Sequence, residues 1–144
     1  WLRSMEQLDY LEEPDMFHDV FGHAPLLSNK PYVDFFKGMS DIALKYIDNQ
    51  DKIDLLGRLY WFTIEFGMIR ENGQLKIYGA GIISSKGETE HCLSEKTTHL
   101  PFDVKTIMNS PYRTDILQDK YFVIDSFEQL YNSLPEIEAY LEVN

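Results

Sequence analysis

The sequence predicts an α+β domain that is mostly helical and contains a small β element. Apolar residues recur at helical spacing over two long stretches in the first half of the chain. A turn signal separates two extended pieces in the middle, and an apolar segment near residue 121 favours a further strand. The 144 residues suit one compact domain, so we expect a single catalytic domain spanning residues 1–144.

The first predicted helix lies between Pro14 and Gly22. Pro14 suits the first turn of a helix, because the N–H group that it lacks has no partner there. Glu12, Glu13 and Asp15 lie near this start, where the helix dipole favours negative charge. Glycine commonly follows the last helical residue, so we interpret Gly22 as the end of the helix.

Two longer helices follow. The second comes after Pro31, and its apolar positions are Tyr32, Phe35, Phe36, Met39, Ile42, Ala43 and Tyr46. The third begins near Asp51 and ends near Phe66, with an apolar stripe made of Leu55, Leu59, Phe62 and Phe66.

The second half of the chain mixes turns, strands and short helices. Residues 71–73 (Glu-Asn-Gly) indicate a turn before an extended piece at 75–78, and residues 121–124 favour a strand. Ser84 or Ser85 can cap a short helix, with Glu88 completing a capping box. Ser126 is expected to cap the last helix, which Pro135 ends.

The overall charge excludes some partners. The net charge of −11 argues against binding to nucleic acid or to an anionic membrane surface. No apolar run approaches the roughly 18–20 residues that a membrane-spanning helix needs. The single cysteine, Cys92, allows no disulfide within the chain, so we expect a cytoplasmic protein.

Residues 17–23 carry the clearest chemical signal, because His18 and His23 lie five positions apart. On an ideal α-helix this spacing separates the two side chains by about 140°. If the helix ended at Gly22, the chain would turn and His23 could swing back towards His18. The alternative is two unconnected structural histidines.

A third ligand is suggested by Glu65, which lies in the aromatic stretch 60–67. A carboxylate in such surroundings is costly unless it is paired or bound to a metal. The alternative is that Glu65 faces solvent or pairs with Arg58 or Arg70. Two histidines and one carboxylate suit non-haem iron, but the same set also holds catalytic zinc, so the residues alone leave the metal open.

Five motifs occur in order along nearly the whole chain. They read YLEEPD at 10–15, YWFTIEFG at 60–67, YGAGIISS at 78–85, CLSE at 92–95 and YFVIDSFEQL at 121–130. With these motifs the chain resembles the pterin-dependent aromatic amino acid hydroxylases, and especially their bacterial phenylalanine-hydroxylating members. The resemblance implies the catalytic-domain fold of that family.

The resemblance also implies an activity. A monooxygenase of this kind hydroxylates the ring of L-phenylalanine to give L-tyrosine, and it uses Fe(II), tetrahydrobiopterin or a related tetrahydropterin, and dioxygen. The family's iron ligands correspond to His18, His23 and Glu65, which are therefore the expected catalytic and metal-binding residues.

Further site residues follow from the same resemblance. Arg3 matches the arginine that binds the substrate carboxylate, a role that suits a guanidinium group. Pro14 and Trp61 match the walls of the aromatic pocket, and Ser84 matches a serine of the substrate site that supports the first histidine.

The expected pterin contacts are Asp19 and Tyr60, although animal members usually have glutamate at the position of Asp19. Family domains have a longer chain before Arg3, which supplies much of the wall that stacks on the pterin. We therefore expect a fragment that lacks the N-terminal part of the family domain. Because the family's tetramerising segments are absent, we also expect a monomer.

Three alternatives remain. The same fold could hydroxylate tryptophan or tyrosine. A zinc hydrolase could use the same ligands, with Asp19 or Glu13 as general base, and stoichiometric zinc with peptidase activity would favour it. The chain could also be a non-catalytic module that only binds aromatic molecules. Glu65→Ala tests this alternative, because a mere binder would keep its ligand affinity and have no activity to lose.

Overall fold

The computed structural model of the protein describes residues 1–9 and 13–144. Tyr10, Leu11 and Glu12, which begin the first family motif and precede the first predicted helix, lie outside the described residues. Within the described ranges no helix is both long enough and apolar enough to cross a membrane.

Helices make up most of the described chain. The α-helices are α1 (Lys30–Lys45), α2 (Gln50–Tyr60), α3 (Ala80–Ile83), α4 (Lys86–His91), α5 (Val104–Met108), α6 (Phe127–Asn132) and α7 (Leu134–Val143). Two π-helices span His18–His23 and Trp61–Glu65, and two 3₁₀ helices span Met5–Gln7 and Ala24–Ser28. The predicted helices after Pro31 and near Asp51 are confirmed, with Asn29 and Asn49 as their N-caps.

A small mixed sheet completes the fold. Its strands are β1 (Met68–Glu71), β2 (Gln74–Ile77), β3 (Thr98–Pro101) and β4 (Lys120–Ile124), in the order β2-β1-β4-β3. β1 and β2 form an antiparallel hairpin, whereas β4 runs parallel to both β1 and β3. The predicted turn is confirmed, because Asn72 and Gly73 both have positive φ, as a tight hairpin turn requires.

The mostly helical α+β class is confirmed, and the core explains how its parts pack. Helices α1, α2, α5, α6 and α7 and the second π-helix pack large side chains together with those of β4, including Phe35, Leu59, Phe62, Phe122, Leu130 and Ile137. A second cluster joins α3 to the sheet through Phe66, Met68, Ile82, Cys92, Tyr121 and Val123. The two π-helices that carry the candidate ligands pack against the helices and strands that form these two hydrophobic clusters.

Three local predictions are wrong for identifiable reasons. Pro135 does not end the last helix but lies in the first turn of α7, where a proline is tolerated. Pro14 precedes the first helical turn, because Asp15 is the residue whose side chain accepts the N–H of His18. Ser85 does cap α4, but the carboxylate of Glu88 bonds to other parts of the structure and forms no capping box.

Gly22 is not a helix end either. The π-helix runs through it to His23, and Gly22 is buried against α3. A Cβ atom at this position would lie 2.8 Å from the Cβ of Ala80, which is too close for two carbon atoms. The glycine is therefore needed for the close approach of two segments of the site.

We expect Gly22→Ala to destabilise the protein by about 1–3 kcal/mol, the usual cost of overpacking a filled interior. Gly57→Ala is the matched control, because a Cβ atom there meets no other atom within 4 Å. Its expected effect is neutral or slightly stabilising, since alanine favours a helix over glycine. Urea unfolding measures both, and equal stabilities of the two variants would contradict the packing role of Gly22.

Candidate metal centre

The first π-helix brings the two histidines together. Its turns close with hydrogen bonds between residues five apart, as shown by the N–H of Ala24 bonding to the carbonyl of Asp19. Residues five apart therefore lie on the same face, and Nε2 of His18 is 2.9 Å from Nε2 of His23. The predicted meeting of the imidazoles is confirmed, but its cause is the wide helical turn and not a chain reversal at Gly22.

The second π-helix places Glu65 beside this pair. The N–H of Phe66 bonds to the carbonyl of Trp61, again across five residues. The carboxylate oxygens of Glu65 lie 3.2 Å from Nε2 of His23 and 3.5 Å from Nε2 of His18. Three potential ligand atoms, from segments far apart in sequence, thus meet at one point.

Ser84 supports the first histidine from the far side. Its Oγ atom lies 2.9 Å from Nδ1 of His18, and both side chains are buried. Burial lowers the pKa of His18 and so favours the neutral imidazole. A neutral imidazole with its Nδ1–H bonded to a hydroxyl presents the lone pair of Nε2, which is the form that binds a metal ion.

Electrostatic coupling links Glu65 to His23. The hydrogen bond to Glu65 raises the pKa of His23. Burial alone would raise the pKa of Glu65, but the hydrogen bond from His23 and the electrostatic interaction with the two histidines outweigh it, so the pKa is lowered. The hydroxyl of Tyr60 also hydrogen bonds to Glu65, which keeps this buried carboxylate ionised.

Arg3 is held by Asp15, whose role the sequence alone does not reveal. The carboxylate of Asp15 accepts hydrogen bonds from Nε of Arg3 at 3.0 Å and from Nη2 at 2.7 Å, and both side chains are almost fully buried. It also accepts the backbone N–H groups of Arg3 and His18. The hydrogen bond from Arg3 holds the pKa of the Asp15 carboxyl well below its usual range. Asp15 therefore joins the predicted substrate arginine to the histidine segment.

The guanidinium of Arg3 keeps capacity for a ligand. Its Nη1 donates to the carbonyl of Ser84. Within the described ranges, three of its five N–H donors are used by Asp15 and Ser84. The remaining donors can bind a carboxylate group.

A cavity of about 300 Å³ connects these groups. Its lining residues are Arg3, Glu13, Pro14, His18, Tyr60, Trp61, Glu65, Phe66, Gly81, Ser84 and Ser85. The structure therefore brings Arg3, Pro14, Trp61 and Ser84 to the same space as the candidate metal ligands. The cavity pairs a cationic end with an aromatic wall and two of those ligands.

The two residues expected to contact a pterin lie on either side of the histidines. Asp19 is exposed, and its carboxylate lies within 4.8 Å of ligand atoms of both His18 and His23. Tyr60 lines the cavity on the Glu65 side. Their contact with a pterin stays a prediction.

Known proteins are similar to this chain in both amino-acid sequence and three-dimensional fold. The phenylalanine-4-hydroxylase of Ralstonia nicotianae is 50% identical over 134 residues, which are 92% of this chain and 42% of that protein. A structure of Chromobacterium violaceum phenylalanine hydroxylase with bound oxidised Fe(III) has a TM-score of 0.91 at 46% identity, covering 99% of this chain and 52% of the other. A second, with bound iron(III) and the oxidised cofactor 7,8-dihydrobiopterin, has a TM-score of 0.89 at 45% identity and covers 99% and 53%.

The chain spans less than half the length of the Ralstonia relative. The sequence profile of the biopterin-dependent aromatic amino acid hydroxylases matches residues 1–143, almost the whole chain. The fold implied by the sequence resemblance is confirmed by the structural matches. This chain belongs to the family of biopterin-dependent aromatic amino acid hydroxylases.

Proposed function

We propose that this chain forms the iron-binding part of a phenylalanine 4-monooxygenase, which converts L-phenylalanine to L-tyrosine with Fe(II), a tetrahydropterin and dioxygen. The observation that carries the proposal is the convergence of Nε2 of His18, Nε2 of His23 and the Glu65 carboxylate. The convergence lies beside a cavity with an arginine at its edge and a tryptophan in its wall. Relatives named phenylalanine-4-hydroxylase support the choice of substrate.

The spacing of the three ligand atoms suits a metal ion. Two donor atoms bound at right angles, each about 2.1 Å from a metal, lie about 3.0 Å apart. The observed separations are 2.9, 3.2 and 3.5 Å. Two imidazoles and one carboxylate on one face leave the other positions open, which is the ligand arrangement of non-haem iron oxygenases.

Each group around the cavity then has a separate task. Bound Fe(II) supplies the activation of dioxygen. Arg3, oriented by Asp15, binds the carboxylate of the amino acid, while Trp61 and Pro14 enclose its ring and exclude water. A tetrahydropterin held beside Asp19 and Tyr60 would supply the electron pair that reduces one oxygen atom of dioxygen to the level of water, while the other would be inserted into the ring.

Two observations support a pterin cofactor: the polar side chains beside the candidate metal ligands, and the cofactor bound by a relative. Asp19 and Tyr60 flank the ligand cluster, where a carboxylate and a phenol can bind the polar edge of a pterin ring. The Chromobacterium enzyme binds iron and 7,8-dihydrobiopterin. We also propose that the protein is a cytoplasmic monomer and that its partners are these small molecules alone.

Product analysis tests the function. The protein is incubated with Fe(II), a tetrahydropterin, ¹⁸O-labelled dioxygen and, separately, L-phenylalanine, L-tyrosine or L-tryptophan. We expect labelled L-tyrosine from phenylalanine, with little product from the other two. Zinc-dependent peptide hydrolysis without phenol formation would support the hydrolase alternative instead.

Ser84→Ala tests the support of His18. Without the hydroxyl, Nδ1 of His18 loses its partner and the ring is free to change orientation. We expect Fe(II) affinity to fall about 10- to 100-fold, the usual effect of removing a group that orients a metal-binding histidine. Titration calorimetry measures the affinity.

Ser110→Ala is the matched control, because Ser110 is similarly buried and its Oγ donates to the carbonyl of Thr106 in α5 and not to a candidate metal ligand. Its Fe(II) affinity should stay at the unsubstituted value. If Ser84→Ala bound Fe(II) as tightly as Ser110→Ala, the proposed support of His18 would be wrong.

A further inference from the structure

Trp61 lies in the middle of a stack of aromatic rings beside the candidate metal centre. Its ring packs on Phe66 at 4.4 Å and 28° on one side, and on Tyr112 at 4.6 Å and 18° on the other. Stacking on both faces fixes the plane of the indole, but a half-turn about the Cβ–Cγ bond would keep that plane and exchange the two edges of the ring. A directional contact is therefore needed to define which edge of the indole faces the cavity.

Gln118 makes that contact. The indole Nε1–H of Trp61 donates to Oε1 of Gln118 at 3.1 Å. Nε2 of Gln118 donates to the carbonyls of Arg113 and Ile116, at 2.8 and 3.0 Å. Only this orientation of the amide places a donor against the two carbonyl oxygens and an acceptor against the indole.

The backbone of Gln118 is anchored as well. Its N–H donates to Oε1 of Glu88 at 2.8 Å, and the other oxygen of Glu88 accepts the hydroxyl of Tyr121. Glu88 is fully buried, so both of its oxygens are satisfied inside the protein. Gln118 is thus attached to α4 and, through Tyr121, to β4, while its side chain reaches the cavity wall.

We propose that Gln118 is a positioning residue for the aromatic substrate: its amide holds the indole edge of Trp61 and ties the segment 109–119 to the wall of the cavity. This proposal rests on the proposed function, because the ligand that the wall encloses is an aromatic amino acid. The expected result of losing the contact is weaker binding of the substrate with unchanged binding of the metal, because Gln118 touches none of the three metal ligands among its described contacts.

Gln118→Leu tests the proposal with a side chain of similar volume that cannot accept a hydrogen bond. We expect KM for L-phenylalanine to rise about five- to tenfold, as for the loss of one neutral hydrogen bond. We expect kcat and Fe(II) affinity to stay within about twofold, because neither depends on the indole contact.

The indole N–H resonance of Trp61 gives a direct signature of the contact. The chain has two tryptophans, so Trp1→Phe assigns the signal. In Gln118→Leu the resonance should move upfield, because its hydrogen bond is lost. In a Trp61→Phe background the same substitution should change KM by less than about twofold, since the interaction is already absent.

Gln129→Leu is the matched control. It removes a glutamine that bonds to the N–H of Asp125 and lies away from the cavity, so KM and the Trp61 resonance should not change. If Gln118→Leu does not fold, Tyr121→Phe replaces it, because it loosens the Glu88 anchor and should shift the resonance in the same direction.

An unchanged Trp61 resonance and an unchanged KM in a folded Gln118→Leu variant would overturn the proposal. Failure of the proposed function is a different result, namely no phenol from the unsubstituted protein. In that case calorimetric affinity for L-phenylalanine and the resonance still test whether Gln118 sets the wall.

Discussion

Glu65→Ala should remove the proposed Fe(II) binding and with it the proposed hydroxylation of phenylalanine. The carboxylate is the only anionic member of the proposed ligand set and lies 3.2 and 3.5 Å from the two imidazole nitrogens. We expect turnover to fall more than about 1,000-fold, equivalent to about 4 kcal/mol of transition-state stabilisation. Iron content after dialysis and the rate of tyrosine formation measure the effect.

Two controls accompany this variant. Glu71→Ala removes an exposed carboxylate of the hairpin that pairs with Lys76, so iron content and turnover should stay unchanged. Glu65→Gln keeps the shape but removes the charge, and it should lose most of the iron as well. Stoichiometric iron in Glu65→Ala would show that the carboxylate is not a ligand.

Asp15→Asn should be the most destabilising substitution near the site. An asparagine provides one oxygen acceptor where the carboxylate accepts four hydrogen bonds from Arg3 and His18. It also leaves the Arg3 charge buried without its counter-ion, which typically costs about 3–5 kcal/mol. Urea unfolding measures the loss, and KM for phenylalanine should rise because Arg3 is no longer oriented.

The same pair predicts a pH dependence. Because the pKa of Asp15 is lowered in the folded protein, its contribution to stability is complete above the unfolded-state pKa of about 3.9 and is lost as pH falls below it. The stability difference between the unsubstituted protein and Asp15→Asn should therefore shrink below about pH 4. Asp115→Asn in the exposed Arg113 pair is the control and should change stability little, because solvent screens that pair. A difference that is independent of pH would contradict the role of Asp15.

The sequence predicted most of the regular fold because its signals were local. Helical spacing located α1 and α2, and Asn72-Gly73 located the hairpin, since both patterns are written in neighbouring residues. The short elements α3, α5 and β3 were not predicted, because five residues or fewer show no clear period. Their formation depends on packing against the core.

The π-helices were beyond local prediction. A π-turn adds a residue to a helical turn without a characteristic composition, so an α-helical period placed His18 and His23 about 140° apart. A chain turn at Gly22, which the sequence suggests as the way to bring them together, is wrong, because Gly22 instead gives room for Ala80. The resemblance to a family indicates the candidate ligands, although the local geometry predicted for them is wrong.

The interactions of buried charged residues are the second kind of feature that could not be predicted from the sequence. Asp15 and Glu88 both resembled residues that favour helix starts, and nothing in their neighbours shows that Arg3 or Tyr121 would reach them. Such pairs form between segments distant in the chain, so only the tertiary structure reveals them. The signal in the sequence that could indicate such a pair is a charged residue a few positions before a candidate ligand, as Asp15 is before His18.

The most direct measurement is a crystal structure of the Fe(II)-loaded protein with anomalous scattering recorded at the iron edge. We expect one strong anomalous peak about 2.0–2.3 Å from Nε2 of His18, Nε2 of His23 and a carboxylate oxygen of Glu65. A peak bound elsewhere, or one that omits any of these three side chains, would contradict the proposed metal centre.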